Sequence, residues 1–165
     1  MSSMASSSSS SSSAADGRLI VADHIDDTTA RALLKETGFD PDNIKKACCG
    51  NWGVPVTPLL YFCAIGNVTM VRYLIARGAD CRQQDRFGVG FPMLAAAENG
   101  HVEIIKLLSQ DGGAHEDIRR VSMGQSPLRV ALLREKFDVV HVLILLGAFA
   151  PRDGGGIDDG TMRYE

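Results

Sequence analysis

A chain of 165 residues, 45% of them apolar, carries enough hydrophobic matter for one packed domain and is too apolar and too balanced in charge to be disordered throughout. Its 17 basic and 20 acidic residues leave a net charge of −3, and the longest basic runs are Lys45-Lys46 and Arg119-Arg120, so no nucleic-acid partner is expected. The four cysteines, Cys48, Cys49, Cys63 and Cys81, form neither a CxxC pair nor a zinc pattern, and no apolar h-region stands near the start, which points to a reduced setting, cytoplasmic or nuclear.

Residues 1–16 are dominated by Ser and Ala, with an unbroken serine tract from Ser6 to Ser13. Such a stretch has nothing to bury against the entropy of ordering, so a disordered tail is expected. No Arg precedes Arg18, which argues against a plastid address. In residues 17–51, Leu33-Leu34 followed by Gly38-Phe39-Asp40 echoes the unit endings found downstream. This region is predicted to be a degenerate amino-terminal cap, with Pro41 to Ala47 adding a helical turn.

From residue 52 to residue 150 the chain repeats itself. Pro58, Pro92 and Pro127 recur at steps of 34 and 35, and the Gly-Ala pairs at Gly78, Gly113 and Gly147 recur at 35 and 34. The units run about 52–84, 85–117 and 118–150. Each reads as two short helices. Proline opens the first, because its missing N–H would be unpaired there in any case. Thr57 and Ser126 stand ready to cap it. Gly66 and Gly100 fall where that helix must stop and turn. The second helix carries Met70, Val71, Leu74 and Ile75, then Ile104, Ile105, Leu107 and Leu108, then Val139, Val140, Leu143 and Ile144. That spacing marks one buried stripe. A lone pair of such helices cannot cover its own apolar face, whereas stacked copies can. Residues 151–165, with Gly154-Gly155-Gly156, form a flexible tail too poor in apolar residues for another unit.

Thr57-Pro58-Leu59, Ala96-Ala97-Glu98-Asn99-Gly100-His101, the branched apolar pairs, Leu107-Leu108 and Gly78-Ala79-Asp80 together resemble the ankyrin repeat. The resemblance implies an all-α solenoid of stacked helix-turn-helix units. It also implies a structural His101 that bonds between neighbouring loops. Glu135 and Lys136 replace the Gly-His of the third unit, Phe91 replaces a capping Thr, and Asp111-Gly112 reads as a two-residue insertion.

Ankyrin arrays bind proteins through a concave face built from loop fingers and inner-helix ends. Carried over by position, the finger residues are Val54, Val56, Arg86, Phe87, Val89, Ser122, Met123 and Gln125. The inner-helix residues are Ala64, Ile65, Glu98, Asn99, Leu133 and Arg134. Of these, Ile65, Arg86, Phe87, Glu98, Asn99, Met123, Gln125, Leu133 and Arg134 are the candidate partner-binding residues. The expected function is protein–protein interaction, as a module or adaptor. The alternative is the targeting module of a larger enzyme or a ubiquitin-ligase-type assembly.

No GxSxG, HExxH or Walker loop occurs, and no helix with a Lys follows Gly154-Gly155-Gly156, so the chain is expected to be no enzyme and to need no cofactor or metal. His24, His115 and His141 fall on separate segments without metal spacing. Cys48-Cys49 reads as a pair of core residues in a helix, and Cys81 as the exposed thiol. The apolar run from Val139 to Ala150, interrupted by His141, is too short to span a bilayer. It carries Val142, Leu145 and Leu146 beyond the core stripe, where a terminal unit should be polar. These residues either tuck under the carboxy-terminal tail or make a surface for self-association.

Overall fold

The computed structural model describes residues 25–48, 55–85, 87 and 90–148. The two expected tails, together with Cys49, Val54, Arg86 and Val89, lie outside the described residues.

The described chain is helical: α1 (Asp27–Glu36), α2 (Pro58–Ile65), α3 (Val68–Ala76), α4 (Pro92–Asn99), α5 (Val102–Gln110), a 3-10 helix (His115–Arg119), α6 (Pro127–Leu133) and α7 (Phe137–Leu145). Helices α2 with α3, α4 with α5 and α6 with α7 form hairpins. The inner helices α2, α4 and α6 stack on one another, as do the outer helices α3, α5 and α7. The fold is the all-α ankyrin solenoid.

Local chemistry sets each hairpin. The proline opens every inner helix. The Thr57 hydroxyl accepts from Leu60 N at 3.2 Å and the Ser126 hydroxyl from Arg129 N at 3.2 Å, each cap stabilising by about 1 kcal/mol. Phe91 offers no such oxygen. It is fully buried instead, with the Arg120 guanidinium 4.9 Å above its ring. Inner helices end through one recurring bond: Asn67 N to Phe62 O, His101 N to Ala96 O and Lys136 N to Ala131 O, at 3.1, 2.9 and 2.8 Å. This closure needs a left-handed residue, supplied by Gly66 (φ 83°), Gly100 (φ 88°) and, against its preference, Glu135 (φ 56°).

Outer helices close likewise, with Ala79 N on Leu74 O and Ala148 N on Leu143 O. Phe39 N bonds Leu34 O in the same way, and Gly38 has φ 84°. Helix α1 thus ends on the same backbone closure as α3 and α7. It buries Ala30 and Leu34 and is tied to α3 where the Tyr73 hydroxyl and Arg77 reach Asp27. Those bonds, the Tyr73 one first, hold the Asp27 carboxyl below its ordinary value. Beyond it, the Phe39 ring packs on Tyr61 with centroids 5.3 Å apart.

The core runs through the stack as Phe62, Met70, Leu74, Met93, Ala96, Ala97, Ile104, Ile105, Leu108, Ala131, Val139 and Leu143, all fully buried. Burying each large side chain stabilises by about 1.5–3 kcal/mol.

Four expectations need correction. Pro41 to Ala47 forms turns closed by Asn43 N on Asp40 O and Lys46 N on Asn43 O, not a helical turn. Cys48 lies in a β-bridge with Val56 rather than in a helix. The insertion near Asp111-Gly112 is one residue, because Ala114 N reaches back six residues to Leu108 O where its counterparts reach back five. That inserted loop carries Gly112 against Cys81, so Cys81 is buried at 4% exposure rather than exposed. Burial pushes its thiol up to about 11, and pushes that of Cys63 well above its ordinary value.

Candidate functional site

A finger precedes each inner helix, so finger tips and inner-helix ends recur in register. The first finger is pinned by Cys48 N to Val56 O and Val56 N to Cys48 O, at 3.1 and 3.0 Å. The second is closed by Asp85 N to Gly90 O at 2.8 Å. In the third, Ser122 and Gln125 exchange two bonds of 2.9 Å around Met123-Gly124. Both central residues have positive φ, 50° and 72°, the signature of a type I′ turn. Methionine in that conformation costs about 1 kcal/mol.

Phe87 is 68% exposed and Met123 77%, each on its own finger. On the inner helices Ile65 is 46% exposed and Leu133 66%. Glu98 and Arg134 form an ion pair across the ends of α4 and α6. With Asn99 and Lys136 they line a cavity of about 270 Å³. The fold thus brings Glu98, Asn99 and Arg134 together and spaces Ile65, Phe87, Met123 and Leu133 along the array. Gln125 is half-buried, with its Oε1 enclosed and without a donor. Val56 and Ser122 are buried at the bases of their fingers, where pairing turns them inward.

A larger groove, about 810 Å³, was not legible in the sequence. Arg82, Glu116, Asp117, Arg119, Arg120 and Val121 line it. The Asp117 carboxylate is 1% exposed and lies 3.6 Å from Arg82 Nε and 3.4 Å from Arg120 Nη1. Arg120 also donates to the Arg82 carbonyl at 2.9 Å, bridging consecutive loops. Burial pushes the Asp117 carboxyl up, against the pull of Arg120 and Arg82. The sequence signal was the Arg119-Arg120 pair, but nothing local tells that one arginine folds back onto Phe91.

Among the described residues no group of three His, Cys, Asp or Glu side chains could hold a metal ion, and no helix is long and apolar enough to cross a membrane.

The repeated closures and the His101 contact to Ala64 decide the kinship, and the comparisons agree. The family profile "Ankyrin repeats (3 copies)" matches residues 19–119 and 63–151. The chain belongs to the ankyrin-repeat family. It is also 39% identical over 92 residues to the ankyrin repeat protein FPV014 of fowlpox virus (strain NVSL), an alignment covering 56% of this chain and 18% of that relative. Ankyrin repeats generally mediate protein–protein interaction, and the family is typically non-enzymatic.

Proposed function

We propose that this ankyrin array captures a protein partner on the surface formed by its finger tips and inner-helix ends. The observation that carries the reading is the exposure of Phe87 and Met123 at successive finger tips. Large apolar side chains held out on strained or pinned turns gain nothing from water, and aromatic and Met residues are frequent interface anchors. Ile65 and Leu133 extend the apolar contact, while Glu98, Asn99, Gln125 and Arg134, with Arg86 on the second finger, supply polar contacts that fix orientation. The buried thiols of Cys63 and Cys81 fit a cytoplasmic or nuclear setting.

Affinity capture from the native cell tests this. The double variant Phe87→Ala/Met123→Ala is expected to lose the protein that the wild type retains, with helicity intact. Equal recovery by both would overturn the assignment.

A second reading is favoured by the short coverage of the fowlpox relative, 18% of its length. An array of this size would then serve as the targeting module of a larger enzyme or ubiquitin-ligase-type assembly. The same surface would carry the recognition.

A further inference from the structure

The groove at the bases of the second and third fingers is built around a carboxylate that solvent does not reach. Arg82 leads into the second finger, and Arg120 and Val121 lead into the third. The 3-10 helix supplies Glu116, Asp117 and Arg119 to the same groove. Asp117 Oδ2 is enclosed and accepts no hydrogen bond. Such an orphan costs about 1–3 kcal/mol, which an apolar residue would avoid. In return the carboxylate holds two cations, because its Oδ1 pairs with both Arg82 Nε and Arg120 Nη1. The Arg120 guanidinium also rests over the Phe91 ring, and its bond to the Arg82 carbonyl ties the two loops together. Arg82 Nη1 and Arg120 Nε and Nη2 take no part in these pairs. Guanidiniums held in place this way lose little freedom when they meet an anion.

Charge decides which anion the groove fits. Three guanidiniums line it against two carboxylates, leaving one positive charge in excess. A single carboxylate cancels that excess. A phosphoryl group, with a charge of about −2 at neutral pH, overshoots it beside Glu116. Glu116 itself, an exposed carboxylate 3.2 Å from Arg82 Nη2, shows the kind of partner this guanidinium takes. Val121, 61% exposed at the edge of the groove, suits an apolar neighbour of that carboxylate. The volume of about 810 Å³ holds more than one side chain. The same two fingers carry Phe87 and Met123, so the groove adjoins the surface proposed above for partner capture.

We propose that this groove seats an aspartate or glutamate side chain of the protein partner, with Asp117 as the positioning residue that holds Arg82 and Arg120 for it; this rests on the capture surface proposed above. Nuclear magnetic resonance of the full chain, titrated with the capped peptide acetyl-Leu-Glu-Leu-amide at millimolar concentration, tests it. Saturable shifts are expected at the Nε–H signals of Arg82 and Arg120, and none from the isosteric acetyl-Leu-Gln-Leu-amide. Arg82→Gln is expected to weaken the glutamate peptide about tenfold. Glu116→Gln, which removes a competing carboxylate, is expected to tighten it about two- to fivefold. No shift, equal shifts from the two peptides, or tighter binding of the matching phosphoserine peptide overturns the proposal. Partner capture separates the groove from the finger tips. Capture lost by Phe87→Ala/Met123→Ala, with no peptide binding, removes this inference and leaves the finger surface standing. Capture that survives Phe87→Ala/Met123→Ala but not Arg82→Gln does the reverse.

Discussion

The imidazole of His101 lies over Gly66 and donates from Nε2 to the Ala64 carbonyl at 3.1 Å. It links the second unit to the end of the first unit's inner helix, and a Cβ on Gly66 would overlap the ring. One unit on, the Lys136 side chain lies over Gly100 in the same way, its Cδ 3.1 Å from where a Cβ would stand.

These two contacts differ in how far they can yield. Gly66→Ala combines positive φ with a clash against a tethered ring, and is expected to destabilise by about 2–4 kcal/mol. Gly100→Ala has the same backbone strain but meets a flexible methylene chain, and is expected to cost about 1–2 kcal/mol. Gly100→Val adds a β-branch and falls further. Urea midpoints give the order, and equal losses at Gly66 and Gly100 would show that the imidazole is not a fixed neighbour.

Glu135 takes the left-handed position that the other two units give to glycine. Glu135→Gly is expected to raise stability by about 0.5–1 kcal/mol, because strain relief outweighs the added freedom of the unfolded chain. A thermal scan showing a lowered midpoint would count against the left-handed closure.

Much of the fold was legible because prolines, caps and glycines obey local backbone rules. Pro58, Pro92, Gly66 and Gly100 each mark a helix end by their own conformational limits, whatever lies across the stack. Some misreadings are local, such as the i to i+3 turns of Pro41 to Ala47, and others concern contacts between units. Cys81 sits in a loop that looks open, and Gly112 returns from the next unit to lie against it. Asp117 and Arg120 meet because the extra residue leads into a 3-10 helix. For the candidate surface, the sequence supplied the repeat positions of Phe87, Met123 and Arg134. It gave no means of telling that pairing buries Ser122 beside the exposed Met123.

The burial of Cys81 has a chemical consequence. A thiol raised from 9.0 to about 11 carries about 100-fold less thiolate at neutral pH. Native protein is expected to leave Cys63 and Cys81 unmodified by a disulfide reagent that labels both in urea. Rapid native labelling of Cys81 would show that the Gly112 loop stands open.

Burial raises the Asp117 carboxyl above 3.8 in the folded chain, so the native state keeps its proton over a window in which the unfolded chain has released it. The contribution of this group to stability therefore falls as pH rises from 3.8 through the raised value. Asp117→Asn is expected to remove that fall, seen as a smaller loss of urea midpoint across the same pH range. Parallel profiles for the wild type and the variant would place the carboxylate in an environment no different from water.

The central claim is that a partner protein lies across the fingers and inner-helix ends. Photo-crosslinking residues placed singly at Phe87, Met123 and Leu133, and at the exposed outer-helix positions Glu103 and Lys106, test it on the captured complex. Crosslinks to the partner are expected from the first three positions and none from the outer helix. Crosslinks from Glu103 and Lys106 with silence at Phe87 and Met123 would contradict the account.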